Sequence, residues 1–400
     1  MDKSFIKAKP ILVKLIEHGF DAYYVGGSVR DYLLNREIGD IDIATSALPN
    51  QVQALFEKVI PVGIDHGTVM VRYEGESYEV TTFRVEESYE DYRHPDRVHY
   101  VQKIEEDLAR RDFTMNAVAM KLDGTIVDPF NGRGAIKEKR IETVGVAEER
   151  LQEDPLRMMR ALRFVSQLGF SLAATTYDTI RHNAYLLERI SIERKTVEME
   201  KLIQGRFANR AWQLFIQSGV DQYLPSFEKE PSLIQKCAQL EWIPLEDMAE
   251  AITIFHQLAT SLSVTQMVKD WKLSNDVKRQ SLRLTEAVQQ WGSEEDCYVL
   301  YGVGESLLSS FCKILQILNR DAPSFKNLKR TYEQLPIHSI KQLALNGNDV
   351  RALFPNRHPG PWMQQLLRTI EKEVVTCRIR NEKEYLKERA LQWNQQEEDY

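Results

Sequence analysis

Val25-Gly26-Gly27-Ser28-Val29-Arg30-Asp31, followed closely by Gly39-Asp40-Ile41-Asp42-Ile43-Ala44, is the stretch that decides how this 400-residue chain folds. Residues 21–25 (DAYYV) read as a short strand ended by Gly26-Gly27, and a helix is predicted over 28–35. Two glycines let the backbone turn sharply and approach a ligand closely. The helix start offers free N–H groups and a positive dipole end, an arrangement suited to phosphate. Gly26, Gly27 and Ser28 are therefore candidate phosphate contacts, and Arg30 in the first turn can reach the same anion. A glycine pair alone would be an ordinary strand–helix turn.

Residues 39–44 alternate in polarity like a strand. Positions i and i+2 of a strand share a face, roughly 6.5–7 Å apart. Asp40 and Asp42 held this way can share divalent cations, and oxygen ligands suit magnesium, which also takes substrate phosphates. In a two-metal site one ion activates an attacking hydroxyl and the other holds a triphosphate. Ile41 and Ile43 point the other way and fix the register. Two aspartates alone are a weak signal, which their place after the glycine turn strengthens. Strands are also predicted at 67–73 and 77–83, joined through Glu74-Gly75-Glu76. Glu79 on the second is a candidate third carboxylate, and as readily a solvated strand residue.

Two further clusters carry arginines. In Arg110-Arg111-Asp112-Phe113-Thr114-Met115-Asn116 the guanidinium groups suit phosphate or ribose oxygens. Asp112 either caps the following helix or accepts from a sugar hydroxyl, and Asn116 does the latter one turn on. In Glu153-Asp154-Pro155-Leu156-Arg157, continuing through Arg160 to Arg163, Asp154-Pro155 fits an N-cap and first helical position. Asp154, Arg157 and Arg160 are spaced by three and neighbour one another on the helix. An Asp and an Arg held together can present an acceptor and donors to a base edge. A structural ion pair is the plainer alternative.

With 43% hydrophobic residues and this length, more than one core is expected. No apolar run is long enough to span a membrane, and the first residues lack a signal-peptide core. Cys237, Cys297, Cys312 and Cys377 lack paired spacing and read as reduced thiols of a cytoplasmic protein. A net charge of −7 argues against indiscriminate coating of nucleic acid but leaves room for local basic patches. Histidines such as His66, His256 and His338 do not cluster, and no His-Asp dipeptide suggests a metal-dependent hydrolase.

After the mixed first part, with a loop and helix at 104–119 and an edge strand at 125–128, the pattern from about residue 136 is nearly all helix. The expected class is α+β: a small nucleotidyltransferase-type mixed sheet with helices, then an elongated all-helical remainder. The expected divisions are a catalytic head (1–138), a base-recognising neck (139–205), a body (206–320) and a tail (321–400).

GGSVRD, DIDIATSA, YEVTTFR, RRDFTMNA, DPFNGR and EDPLRMMRALRF, in that order, resemble the class II tRNA nucleotidyltransferases, the bacterial CCA-adding enzymes. The helical stretch Ile190 to Leu202, and near the end LNGNDV (345–350) and HPGPW (358–362), resemble the Gram-positive group. The likeness is dense over 20–205, thin through 220–335, and returns at 340–385. It implies a seahorse-shaped protein that adds C, C and A to the tRNA 3′ end from CTP and ATP without a template. It implies magnesium on Asp40 and Asp42 with Glu79 in support. Gly27, Arg30 and Arg111 would hold the nucleotide and Asp112 its ribose. Asp154 and Arg157 would read the base, with Arg160 and Arg163 nearby, and body and tail would grip tRNA. Related enzymes are often homodimers.

Residues 86–98 (EESYEDYRHPDRV) have no clean period and are expected to form a mobile loop. In the family, C-only enzymes lack this loop, whereas CCA- and A-adding enzymes keep it. An A-adding enzyme, a poly(A) polymerase and a non-catalytic tRNA-binding factor on an inactive head are the competing readings. The acidic end, Gln395 to Tyr400, weighs against the polymerase, and the intact Asp40, Asp42 and Arg111 weigh against the inactive head.

Overall fold

The computed structural model describes residues 2–63, 67–87, 97–292 and 295–398. It divides into two compact units, Met1–Ala238 and Gln239–Tyr400. Among the described residues of the first, eleven strands run in chain order: β1 (Ala22–Val25), β2 (Asp42–Thr45), β3 (Val59–Gly63), β4 (Thr68–Tyr73), β5 (Glu76–Thr82), β6 (Arg84–Glu87), β7 (Arg97–Tyr100), β8 (Ala119–Met120), β9 (Ile126–Val127), β10 (Arg140–Ile141) and β11 (Ser171–Leu172). Seven of them form one mixed sheet, in the order β3-β4-β5-β2-β1-β8-β9. Only β2 and β5 run parallel within it; the other neighbours are antiparallel.

The register sets the site. Val25 stands opposite Asp42, Asp42 opposite Glu79, and Val25 also opposite Ala119. Strand alternation sends Ile41 and Ile43 into one core with Phe5, Ile11, Leu12 and Tyr24. It sends Ala44 to the other face, into a core with Val25, Phe83, Leu108 and Ala119. Asp42 therefore sits at the rim of that second face, and a one-residue slip would turn its carboxylate into the apolar core that holds Ile41 and Ile43.

Helices α1 (Lys3–Glu17), α2 (Gly27–Leu33), α3 (Pro49–Leu55), α4 (Ile104–Ala109), α5 (Gly132–Lys137) and α6 (Ala147–Glu153) surround the sheet. They are followed by α7 (Leu156–Leu168), α8 (Ala174–Asn183), α9 (Ile192–Ile203), α10 (Ala208–Ser218) and α11 (Ser232–Gln239). Asp2 caps α1 by accepting from the Ser4 N–H at 2.8 Å. The tyrosine hydroxyl of Tyr24 donates to the Phe5 carbonyl at 3.0 Å, fixing that helix on the sheet.

The second unit is helical: α12 (Met248–Leu258), α13 (Val264–Asp270), α14 (Asn275–Gln290), α15 (Asp296–Val303), α16 (Leu308–Ile317), α17 (Phe325–Glu333), α18 (Gly347–Leu353), α19 (Pro361–Val375) and α20 (Lys383–Glu398). Its interior holds Ile252, Phe255, Leu284, Val288, Phe311 and Ile314. The α+β reading holds: a mixed-sheet part and a mostly helical remainder. Among the described residues no helix is long and apolar enough to cross a membrane.

Several elements differ from the sequence pattern. The strand carrying the aspartates begins at Asp42, and Asp40 lies in the bend before it. The segment expected as a loop and helix over 104–119 breaks into α4, a 3₁₀ turn (Thr114–Asn116) and β8. Asp112 accepts the Phe113 N–H at 2.8 Å and starts that turn, while sheet pairing claims Ala119. Of the expected loop, 86–87 and 97–98 belong to β6 and β7, which pair antiparallel; 88–96, like His66, lie outside the described residues. Within the stretch read as nearly all helix, Ile340–Gln342 forms only a 3₁₀ turn.

Gly132 packs against the turn that carries Asn116. A Cβ there would overlap the Thr114 carbonyl oxygen and a Val118 methyl group. Gly132→Ala is expected to destabilise the protein by about 1–3 kcal/mol through forced repacking. Urea denaturation checks this; an unchanged midpoint would contradict it.

Candidate active site

A cavity of about 1160 Å³ opens between the end of the sheet and helices α7 and α9. It is lined by Gly26, Gly27, Arg30, Asp40, Asp42, Glu79, Arg111, Asp112, Asn116, Asp154, Arg157, Arg160 and Arg163. One site thus gathers every residue singled out from the sequence except Ser28. The Ser28 side chain is buried, and its hydroxyl donates back to the Val25 carbonyl at 2.9 Å, so it offers no hydroxyl to a ligand there.

The glycine turn is tight for a stated reason. Gly26 has φ of 72°, in the region that favours glycine. A Cβ on it would lie 3.1 Å from Arg111 Nη1 and 3.4 Å from Asp42 Oδ2. The turn therefore brings backbone, cation and carboxylate to one point. Gly27 has no such constraint, its nearest neighbour being Arg30 Nη2 at 3.6 Å.

Burial pushes the Asp42 carboxyl up to about 6; Glu79 on the next strand and Asp40 add to this, and Arg111 partly opposes it. A buried Asp42 carboxyl that resists ionisation, with Asp40 and Glu79 beside it, is a set of oxygen donors whose charge a hard divalent cation would relieve, so the residues fit magnesium. They form an open pair with Glu79 alongside: among the described residues no three His, Cys, Asp or Glu side chains form a metal cage.

Asp112 is the opposite case. Burial works against its charge, but Arg160 and Asn116 hold its carboxyl far below the usual carboxylate range. Arg160 Nε and Nη2 donate to Asp112 Oδ2 at 2.8 and 2.6 Å, and Asn116 Nδ2 donates to Oδ1 at 3.0 Å. Asn116 Oδ1 in turn accepts from Arg30 at 2.8 Å. Both ends of the Asn116 amide are thus engaged within the protein, which makes it a strut rather than a free sugar contact. Arg30 also forms a bidentate pair with Asp31.

Asp154 and Arg157 are not paired with each other. Asp154 accepts from the Leu156 N–H at 3.1 Å and from Arg194 at 2.8 Å. It therefore caps α7 one residue earlier than a simple N-cap, with Pro155 between. Arg157 donates to Glu153 and to the Arg150 carbonyl, each at 2.7 Å. Arg163 pairs with Glu198 at 3.1 Å, and burial lowers its pKa to about 10 although Glu198 opposes the shift.

Sequence reading gave no role to Asp107, Glu153, Arg194 or Glu198. Asp107 is buried and receives Arg110 at 2.9 Å and Arg111 at 3.3 Å. Its spacing of four from Arg111 was a readable signal on a helix, as was Glu153 to Arg157. Arg194 and Glu198 come from α9, and nothing local ties them to α7.

Three family models match: "Poly A polymerase head domain" over residues 22–142, "RNA and SrmB- binding site of polymerase A" over 169–230, and "tRNA nucleotidyltransferase domain 2" over 243–390. The chain is 42% identical to a CCA-adding enzyme of Oceanobacillus iheyensis over 98% of each chain. It is 41% identical to that of Bacillus subtilis, over 97% of this chain and 98% of the relative. The crystal structure of the Bacillus stearothermophilus CCA-adding enzyme in complex with CTP superposes with a TM-score of 0.89, at 41% identity over 100% of both chains. The Thermotoga maritima CCA-adding enzyme complexed with tRNA shares the fold, with a TM-score of 0.64 at 20% identity over 98% and 96% of the chains.

The raised pKa of Asp42 has a sign. Its proton is bound more tightly in the folded protein, so its contribution is favourable below about pH 4 and is lost as pH rises through about 6. Asp42→Asn is expected to stabilise the metal-free protein at pH 7.5 by about 1–2 kcal/mol, with the gain gone at pH 4. Thermal unfolding in EDTA across that range checks it; a loss of stability at pH 7.5 would refute the electrostatic account.

Proposed function

The chain belongs to the CCA-adding enzymes, a family of tRNA nucleotidyltransferases, and on that premise we propose how its cavity carries out the addition. The observation that carries the proposal is the single cavity shared by the Asp40–Asp42 pair and the Asp154–Arg157 end of α7. Nucleotidyl transfer needs a place for a triphosphate beside a place for a base, at a fixed separation. The substrates are CTP and ATP, the acceptor is the 3′-hydroxyl of tRNA, and pyrophosphate leaves.

Asp40 and Asp42 are the residues that would hold magnesium, which when bound neutralises phosphate charge and acidifies the attacking hydroxyl. The Gly26-Gly27 backbone, Arg30 and Arg111 hold the triphosphate. Arg111 is well placed, since it lines the cavity with its Nη1 beside the Gly26 turn. Asp112, its oxygens engaged by Arg160, Asn116 and the Phe113 N–H, orients Arg160 toward the ribose, and Arg163 lies beside them. Glu79 supports the aspartates from the neighbouring strand.

Asp154 and Arg157 read the base. Cytosine and adenine each present an exocyclic amine beside a ring acceptor, so one acceptor and one donor suit both. Guanine and uracil present a carbonyl and an N–H there and are disfavoured. We assign residues 139–205 to this base-reading neck, and 206–320 and 321–400 to a body and tail that grip tRNA. A cytoplasmic location and a homodimeric state complete the reading.

The decisive experiment feeds CTP alone, ATP alone, and both to tRNA ending at its discriminator base, with generic RNA as control. Two cytidines then one adenosine are expected; long A tracts on generic RNA would instead favour a poly(A) polymerase, and addition of A only to tRNA ending in CC would favour an A-adding enzyme. Asp40→Ala should abolish incorporation. Arg157→Ala should reduce incorporation of both nucleotides about a hundredfold. Wild-type rates and selectivity in the Arg157 variant would remove it from base reading.

A further inference from the structure

Phe164, on α7, lines the same cavity and is 4% exposed. Its ring centre lies 5.1 Å from the Arg30 guanidinium carbon, 5.9 Å from that of Arg160 and 4.2 Å from that of Arg163. The edge is fixed from another side: Phe113 meets it at 5.8 Å between ring centres with an interplanar angle of 87°. Three cations from two elements therefore surround one oriented ring. We propose that Phe164 is a positioning residue for nucleotide binding, holding these arginines through the face of its ring; this rests on the nucleotide-binding reading above.

The physical case is one of competition. Three guanidinium groups in one buried site repel one another and need electron density nearby. A carboxylate supplies it but also consumes hydrogen-bond donors and cancels the charge that attracts phosphate. An aromatic face attracts a cation by its quadrupole without consuming a donor or cancelling charge, and here it adds to the carboxylates that already engage Arg30 and Arg160. Arg163 shows the effect most clearly. It stands 3.1 Å from Glu198 Oε2, yet neither its Nε nor that oxygen has a hydrogen-bond partner among the described residues. The ion pair is thus poorly aligned, and the ring at 4.2 Å is the contact that orients the group. An aliphatic side chain of similar size would fill the space without orienting anything.

The test compares Phe164→Leu with Phe164→Tyr, the first losing the ring and the second keeping it. With tRNA lacking CCA and magnesium present, Phe164→Leu is expected to raise the KM for CTP and for ATP about tenfold. The kcat at saturating nucleotide should change by no more than about threefold, and Phe164→Tyr should restore KM to within about twofold of wild type, since little more than the ring's orienting effect is at stake. Arg163→Gln should cost less in the Leu background than alone, because the two act through one contact. An unchanged KM in Phe164→Leu, an equal defect in Phe164→Tyr, or strictly additive losses would each overturn the proposal. Thermal unfolding monitors folding, and Phe164→Met replaces the leucine variant if that fails to fold. Calorimetric binding of CTP reads the ring's effect independently of turnover. Wild-type protein that bound CTP but added nothing to tRNA would strike the addition reading and leave this one standing.

Discussion

The geometry of the site hangs on the buried carboxylate of Asp112. Its two oxygens receive Arg160 from α7, the Asn116 amide and the Phe113 N–H. Through Asn116 it reaches Arg30 on α2, and through Arg160 it reaches Glu198 on α9. A buried charge with these partners tolerates little movement, because losing any one leaves an uncompensated ion or an unsatisfied donor. That rigidity holds the sheet end and the α7 end of the cavity apart by a constant amount. On the proposed reading, the separation between a triphosphate's place and a base's place would then be built into the protein before any ligand arrives.

Two aspartates in one cavity are pushed in opposite directions. Asp112 has its cations built in and ionises readily. Asp42 is pushed up by burial first and then by Glu79 and Asp40, while Arg111 acts the other way without restoring it. The first is a strut, complete within the chain; the second is incomplete without something brought from outside. Titratable groups left unbalanced in a cleft mark the place where chemistry is done. The contrast separates framework from reacting centre where residue type alone could not, since both are aspartates beside arginines.

The sequence carried the strands and helices with strong periodicity, and the cavity's membership almost in full. Its misreadings have local causes. Ser28 follows a glycine turn and invites a ligand role, but its hydroxyl satisfies the Val25 carbonyl that the turn would leave unpaired. Asp40 and Asp42 alternate like strand residues, yet pairing with Val25 begins only at Asp42. The short strand β8 was hidden because two residues cannot show a period. The polar partners of the arginines were the least legible. Glu198 and Arg194 belong to α9, and only tertiary packing brings them to Arg163 and Asp154.

The spacing of Asp154 and Arg157 invites a direct ion pair between their side chains, and its absence bears on the proposal that the two read a base. Locked together, each would have its base-facing groups consumed, and reading a base would first require breaking the pair. Instead Arg194 holds Asp154, and Glu153 with the Arg150 carbonyl holds Arg157. Each is held by its own partners, and both residues line the cavity. A pyrimidine and a purine place their amine and ring nitrogen at different depths. Two readers anchored to separate partners can shift independently to meet them, whereas a fused pair would have to move as one body. On the proposed reading, selectivity would come from the pattern of one acceptor and one donor, and tolerance of base size from the independence of their supports.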